Sequence, residues 1–194
     1  MDIFYSIDLS IFYFFNHTIS TGFLDRFFSI ITNVQNWYIA YIILIGILFF
    51  KGGRMGKLAA VGIIFLIIVT DQTGYRLLKE FFQRARPCIV LPDALLPTGC
   101  TGAYSFPSNH ALNNFAAAAF FTKLFSGYKT VLFVTASLVA ISRVYLGLHY
   151  PSDIIAGAAI GIVFGYIFAF AILKINNLID RKYKNEDPPV PQDS

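Results

Sequence analysis

Charge is scarce in this chain. Asp, Glu, Lys and Arg make up 13% of its 194 residues, about half the share usual in soluble domains, which leaves too few polar groups to coat a water-exposed surface of this size. The same shortage excludes disordered, collagen-like and nucleic-acid-binding architectures. Met1-Asp2 offers no basic leader region and no small-residue cleavage site follows, so a secretory leader is not expected. Internal repeats and a second domain are also lacking. What the chain has instead is 56% hydrophobic residues, with 21 Phe and 11 Tyr, and a mean hydropathy of +0.62. A membrane protein follows, and the length suits one bundle of about five or six spanning helices.

Charge-free runs cover 36–50, 58–70, 111–122, 130–142 and 154–173. Only the last reaches the roughly 20 residues of a full span, so the others extend to spanning length only by taking in polar neighbours such as Asp71, Arg76 and Arg143. Ionisable groups in a span default to a functional reading, with snorkelling at a helix end as the harmless alternative for Arg76. Lys51, Arg54 and Lys57 fill one connection, Lys123 and Lys129 the next, and Lys174, Arg181, Lys182 and Lys184 the tail. The positive-inside rule puts these nine in the cytoplasm and the connections at 79–107 and 149–152 on the opposite side. The expected fold is therefore an all-α polytopic membrane bundle of five spans over 35–178. Residues 1–34 are expected to carry an amphipathic helix lying in the interface, with a sixth span as the competing reading. The tail 179–194, rich in Pro and acid from Asn185 onward, is expected to be disordered.

Polar residues gather at one membrane level. Lys79, Arg84, Arg86, His110, Arg143, His149 and Asp153 all map to the outer ends of spans or outer loops, while the only acids from Lys79 to Asp153 are Glu80, Asp93 and Asp153. Positive charge in excess on the outer side runs against the orientation rule, and an anion such as a lipid phosphate explains it. Pro87 biases Arg86 away from helical geometry, freeing its side chain to fold back. Pro107-Ser108-Asn109-His110 precedes an apolar run and reads as a helix start, whose N–H groups favour an anion. Gly147 and Pro151 mark a turn between helices that carries His149, four residues before Asp153. A carboxylate on one imidazole nitrogen leaves the other as nucleophile, and a second histidine at the anion site supplies a proton donor. Singly these signals are weak, since a helical His is more often packed than catalytic and Ser142 has helix carbonyls of its own to bond. Jointly they are strong.

These pieces resemble the type 2 phosphatidic acid phosphatase family, relatives of the vanadium haloperoxidases. Lys79 to Arg86-Pro87 fits its Lys, six residues, Arg-Pro; Pro107-Ser108-Asn109-His110 fits three of four positions of Pro-Ser-Gly-His; Ser142-Arg143, His149 and Asp153 fit its third motif fully. The resemblance implies a metal-independent phosphatase with no cofactor. In it His149 attacks phosphorus to form a phosphohistidine, Asp153 orients it, and His110 protonates the leaving oxygen. Lys79, Arg86, Ser108 and Arg143 hold the phosphoryl oxygens. Asn109 stands where the family has Gly, and its amide is read as a further phosphate contact.

Cys88 and Cys100 share the outer loop. A disulfide in an oxidising compartment and two unpaired thiols are both open readings, and the wide spacing argues against a metal site. Asp71, Gln72, Tyr75, Asn113 and Asn114 either line an inner pocket wall, one of them meeting Arg143, or glue helices together. Phe81, Phe82 and Tyr104 sit where acyl or isoprenoid chains would pass. The implied substrate is a phosphorylated lipid: undecaprenyl diphosphate, phosphatidylglycerophosphate, phosphatidic acid or lipid A 1-phosphate. The implied location is a bacterial inner membrane with the site facing the periplasm or exterior. A lipid-to-lipid phosphotransferase and a non-catalytic lipid-binding or translocating protein are the rival readings.

Overall fold

A computed structural model describes residues 3–186, which are almost wholly helical. In chain order the helices are α1 Ile3–Tyr13, α2 Gly22–Thr32, α3 Tyr38–Lys51, α4 Gly53–Gln72, α5 Lys79–Phe82, α6 Pro87–Val90, α7 Asn109–Leu124, α8 Lys129–Tyr145 and α9 Pro151–Glu186. A π-helical stretch, Thr73–Leu78, joins α4 to α5 without a break. Among the described residues, four segments are long and apolar enough to cross a membrane: Val34–Lys51, Gly53–Phe82, Ser126–Tyr145 and Pro151–Lys182. The 16-residue α7 rises only about 24 Å and is not among them. Helix α9 runs on through Glu186, into the segment read as tail, and the disorder expected beyond it lies outside the described residues.

The centre of the bundle is α4, α7 and α9, whose Ala59, Ile63, Leu66, Ala116, Phe120, Ala169 and Ile172 form one buried cluster. Helix α9 approaches α7 along Gly157, Gly161 and Gly165, spaced at one face of a helix. A Cβ on these glycines would stand 2.6 Å from the Ser108 carbonyl, 2.2 Å from that of Leu112 and 2.3 Å from that of Ala116. Backbones packed this closely gain dispersion contacts that lipid tails cannot match, which is how small residues drive helix association in a bilayer. Helix α3 does the opposite: Ile39, Ile42, Ile43 and Ile47 are exposed, as befits a lipid-facing surface.

Residues 3–32 are not peripheral. Asn16 is fully buried, and its amide donates to the carbonyls of Leu95 and Tyr145 while its oxygen accepts the Leu95 N–H. Phe28 packs with Tyr145, Leu146 and Leu148 in a second buried cluster, and the Tyr145 hydroxyl donates to Asp25 at 2.7 Å. Three apolar loop and helix ends are thus fixed against the start of the chain. The helix order then leaves the basic residues of the α3–α4 and α7–α8 connections at one end of the bundle, and all three motifs at the other.

Gly161→Ala places a methyl against the Leu112 backbone, which has no side chain to move aside. A loss of roughly 1–3 kcal/mol is expected, read as a lowered melting temperature in detergent.

Candidate active site

Helix α5 ends at Gln83, whose φ of 46° turns the chain sharply. The chain then runs extended past Arg84–Arg86, pairing Ala85 with Tyr104 and bonding the Ser105 N–H to the Arg84 carbonyl at 2.7 Å. This short pairing joins the loop of the first motif to that of the second. Arg86 is extended, at φ −74° and ψ 152°, with Pro87 at the first position of α6, as the Pro restriction requires. Cys88 and Cys100 are bonded. Their bridge closes the loop that leads to Gly102 and Tyr104, and the Tyr104 carbonyl accepts from Lys79 Nζ at 3.2 Å. Gly102 approaches the Arg86 guanidinium, and a Cβ there would lie 3.6 Å from Nη2.

The second motif folds as a cap. Ser108 precedes α7 and its Oγ accepts the Ala111 N–H at 3.5 Å, while its own N–H donates to the Asp153 carbonyl at 3.1 Å. The start of α7 is thereby tied to the first turn of α9. His110, in that first turn, lies 3.2 Å from the Thr32 carbonyl through Nε2. A carbonyl only accepts, so Nε2 carries the hydrogen. Thr32 also accepts, through its hydroxyl, from Arg143 Nη1 at 2.9 Å.

The third motif brings the reacting pair. Gly147, at φ +76°, turns the chain out of α8 where a Cβ would meet Leu96 and the Leu95 carbonyl below 3 Å, and His149 follows in the turn. Its Nε2 stands 3.2 Å from Arg86 Nη1. Arginine only donates, so Nε2 holds a lone pair and the hydrogen is on Nδ1, facing Asp153 Oδ2 at 3.5 Å. That separation is an ion-pair distance without a formed hydrogen bond: Oδ2 accepts the Tyr150 N–H at 2.8 Å, as a third-position carboxylate does when it caps its own helix. Burial, reinforced by the charges of Arg86, Arg143 and Lys79, holds the His149 imidazole well below its ordinary range. Burial likewise lowers Arg86, with Asp153 opposing.

Lys79, Arg86 and Arg143 are 6%, 7% and 9% exposed. Among the described residues no carboxylate comes within ion-pair distance of any of the three, and Nε of both arginines is buried without a hydrogen-bond partner. Buried cations without an opposite charge are unfavourable, and an anion joining them relieves the penalty. Beside them opens a cavity of about 120 Å³ lined by Tyr75, Lys79, Glu80, Arg86, Gly102 and Tyr104.

Seven of the sequence-derived residues, Lys79, Arg86, Ser108, His110, Arg143, His149 and Asp153, therefore converge on one end of the bundle. Asn109 is the exception. Both hydrogen bonds of its amide nitrogen go to Asp71, to the carbonyl at 3.3 Å and to Oδ1 at 3.1 Å. The room comes from the π-helical stretch, where a Cβ on Gly74 would stand 2.5 Å from the Asn109 side-chain oxygen. Reading its amide as a phosphate contact is thus corrected: the side chain locks α7 to α4, and Asn113 joins it on Asp71 at 3.3 Å. Asp71 glues helices rather than meeting Arg143. Asn114 bonds its own helix at the His110 carbonyl, and Ser142 bonds Val139. Tyr75 does line the cavity, and Phe81 and Phe82 are exposed. Thr32 and Asp8 do not stand out in the sequence, and Arg84 joins the cations there without a role of its own. The only signal of Thr32 and Asp8 is polarity in an apolar stretch.

The chain's relatives carry matching chemistry in their names. A lipid A 4'-phosphatase of Bacteroides thetaiotaomicron is 32% identical over 193 residues, covering 95% of this chain and 83% of that protein. Another, from Porphyromonas gingivalis, is 32% identical over 151 residues, and the chain spans 64% of its length. Among solved structures, Aquifex aeolicus LpxE superposes with a TM-score of 0.64 at 28% identity, covering 84% of this chain and 94% of that one. A PAP2-type phosphatidylglycerolphosphate phosphatase from Bacillus subtilis shares the fold, with a TM-score of 0.70 at 24% identity over 90% of this chain and 89% of its own. Residues 59–176 match the PAP2 superfamily, a span that holds all three motifs, and the chain belongs to that family.

Proposed function

We propose that this protein removes a phosphate monoester from a lipid headgroup, with lipid A as the substrate class, through a phosphohistidine on His149. The observation that carries the reading is the set of three buried cations without carboxylate partners around an imidazole whose Nε2 lone pair is held by Arg86. The choice of lipid A rests on the two relatives named for its 4'-phosphate and on the structural likeness to LpxE. Undecaprenyl diphosphate, phosphatidylglycerophosphate and phosphatidic acid present the same phosphoryl group and remain in the test.

The chemistry runs in two displacements. An incoming phosphoryl group takes the hydrogen bonds of Arg86, releasing the Nε2 lone pair, which forms a bond to phosphorus as the ester oxygen leaves. His110, carrying a second proton once the anionic substrate is bound, gives that proton to the leaving oxygen and is left neutral. Asp153 stabilises the positive charge that grows on His149, and Lys79, Arg86, Arg143 and the Ser108 hydroxyl meet the charge on the phosphoryl oxygens. Water, deprotonated by His110, then breaks the N–P bond and restores the neutral imidazole.

The topology supports five crossings. Helices α4 and α8 both rise to the site end, so α7 must return between them despite its length, its start sunk to the level of the buried site. Residues 35–178 then form the catalytic core, with 1–34 lying along the outer interface: Ile3, Phe4, Ile7 and Ile11 are exposed on α1. The nine basic residues at the other end support an orientation with the site on the periplasmic side of an inner membrane.

Free phosphate released from a panel of lipid A, phosphatidylglycerophosphate, undecaprenyl diphosphate and phosphatidic acid should be fastest with lipid A. His149→Ala should lower it by at least about a thousandfold with an unchanged melting temperature. Release from none of the four would instead support a binding or translocating role, and phosphate passed to a second lipid a transferase. The depressed His149 has a consequence of definite sign: a lowered imidazole stays neutral as the pH falls through about 6.5, the ordinary value. Imidazole NMR signals of the ligand-free protein in micelles should therefore report neutral His149 at about pH 6, and a protonated ring there would contradict the site's electrostatics.

A further inference from the structure

Helix α1 is built inside out by the standard of a soluble protein. Its Ile3, Phe4, Ile7 and Ile11 face outward, while Asp8 is only 6% exposed. A buried carboxylate is unfavourable unless charge and hydrogen bonds meet it, and here they come from far along the chain. Asp8 Oδ2 accepts from Arg84 Nη2 at 2.7 Å, Oδ1 accepts the Ser152 N–H at 2.8 Å, and the Ser152 hydroxyl donates to Oδ2 as well.

Arg84 is the link to the reacting pair. Its other nitrogen, Nη1, donates to Asp153 Oδ1 at 2.7 Å and to Ser152 Oγ at 2.6 Å, and the guanidinium lies over the Tyr150 ring, 4.1 Å from its centre. One cation is therefore shared between two carboxylates, Asp8 and Asp153. The division matters because Asp153 also serves the imidazole, with its Oδ2 facing His149 Nδ1. Were Arg84 to pair with Asp153 alone, its full charge would bear on that carboxylate and weaken the pull on the imidazole hydrogen. With Asp8 taking one side of the guanidinium, Asp153 keeps negative charge for His149, and the guanidinium plane is fixed so that it reaches Oδ1 only.

We infer that Asp8 is a positioning residue for the His149–Asp153 pair, acting through Arg84, so that the first helix of the chain belongs to the catalytic apparatus. Asp8 lies outside the stretch that matches the family, 59–176, and none of the three motifs includes it. The inference rests on the phosphatase reading above. Asp8 touches no group assigned to the phosphate, so its effect belongs on kcat and not on KM.

Phosphate release by wild type, Asp8→Asn, Arg84→Gln and the double variant, with melting temperatures alongside, tests this. Asp8→Asn keeps the shape and removes the charge. The expected result is a fall in kcat of about 10- to 100-fold, the size of loss seen when an outer partner that orients a metal-bound histidine is removed, with KM within about twofold. The double variant should be no slower than the slower single one, since both changes break one linkage. An unchanged kcat for Asp8→Asn, a loss confined to KM, or losses that multiply would each overturn the inference while leaving the phosphatase reading intact. A wild type inactive on every lipid would overturn that reading, and this one with it. If Asp8→Asn does not fold, Ser152→Ala breaks the same junction from α9. It should lower kcat severalfold at constant KM, and no effect would count against the role.

Discussion

Placing Lys79, Arg86 and Arg143 together at the end of an apolar bundle is unfavourable twice over, through lost hydration and through mutual repulsion. The rest of the structure is arranged around that burden. The Tyr104, Leu148 and Thr32 oxygens each accept one of the three, and the loops that supply them are fixed by the Ala85–Tyr104 pairing, the Cys88–Cys100 bridge and the buried Asn16. Neutral acceptors lessen the penalty without cancelling the charge. The site is thus left electropositive, and the proposed phosphoryl substrate would complete it. Burial and the same field hold the His149 imidazole below its ordinary range, which favours the neutral form that the proposed nucleophile needs.

Precision comes from the contact between α7 and α9. The second motif starts α7 and the third starts α9, so their separation decides whether Ser108, His110, His149 and Asp153 share one space. Three glycines bring the two backbones together, and the Ser108 N–H on the Asp153 carbonyl fixes their register. The Asn109 amide on Asp71 then holds α4 to the same point. A position that is Gly in the family's pattern is occupied here by a side chain that the π-helical stretch and Gly74 accommodate.

The bundle and most of the site are legible in the sequence because each motif marks a helix end. Pro87, Pro107, Gly147 and Pro151 break the helices where the cations and histidines lie, and the basic connections assign the ends. Asp8, Asn16 and Thr32 are not legible. Apolar residues alternating with short polar ones look the same whether a helix floats in the interface or docks by its polar face, and the partners of Asp8 lie 76 and 144 residues away. Asn109 misleads for a related reason. Its place in a phosphate-binding motif suggests a phosphate contact, whereas the space beside Gly74 that draws its side chain away exists only once α4 and α7 are packed.

In the proposed reaction the buried cations deliver phosphorus to Nε2 of His149. The most direct test of this step is to quench the enzyme in alkali during turnover of a lipid carrying radiolabelled phosphate and to map the label. A bond from nitrogen to phosphorus survives alkali and is lost in mild acid. The account predicts an alkali-stable, acid-labile label on the peptide that contains His149. Turnover with no label there, or with label on another residue, would contradict it.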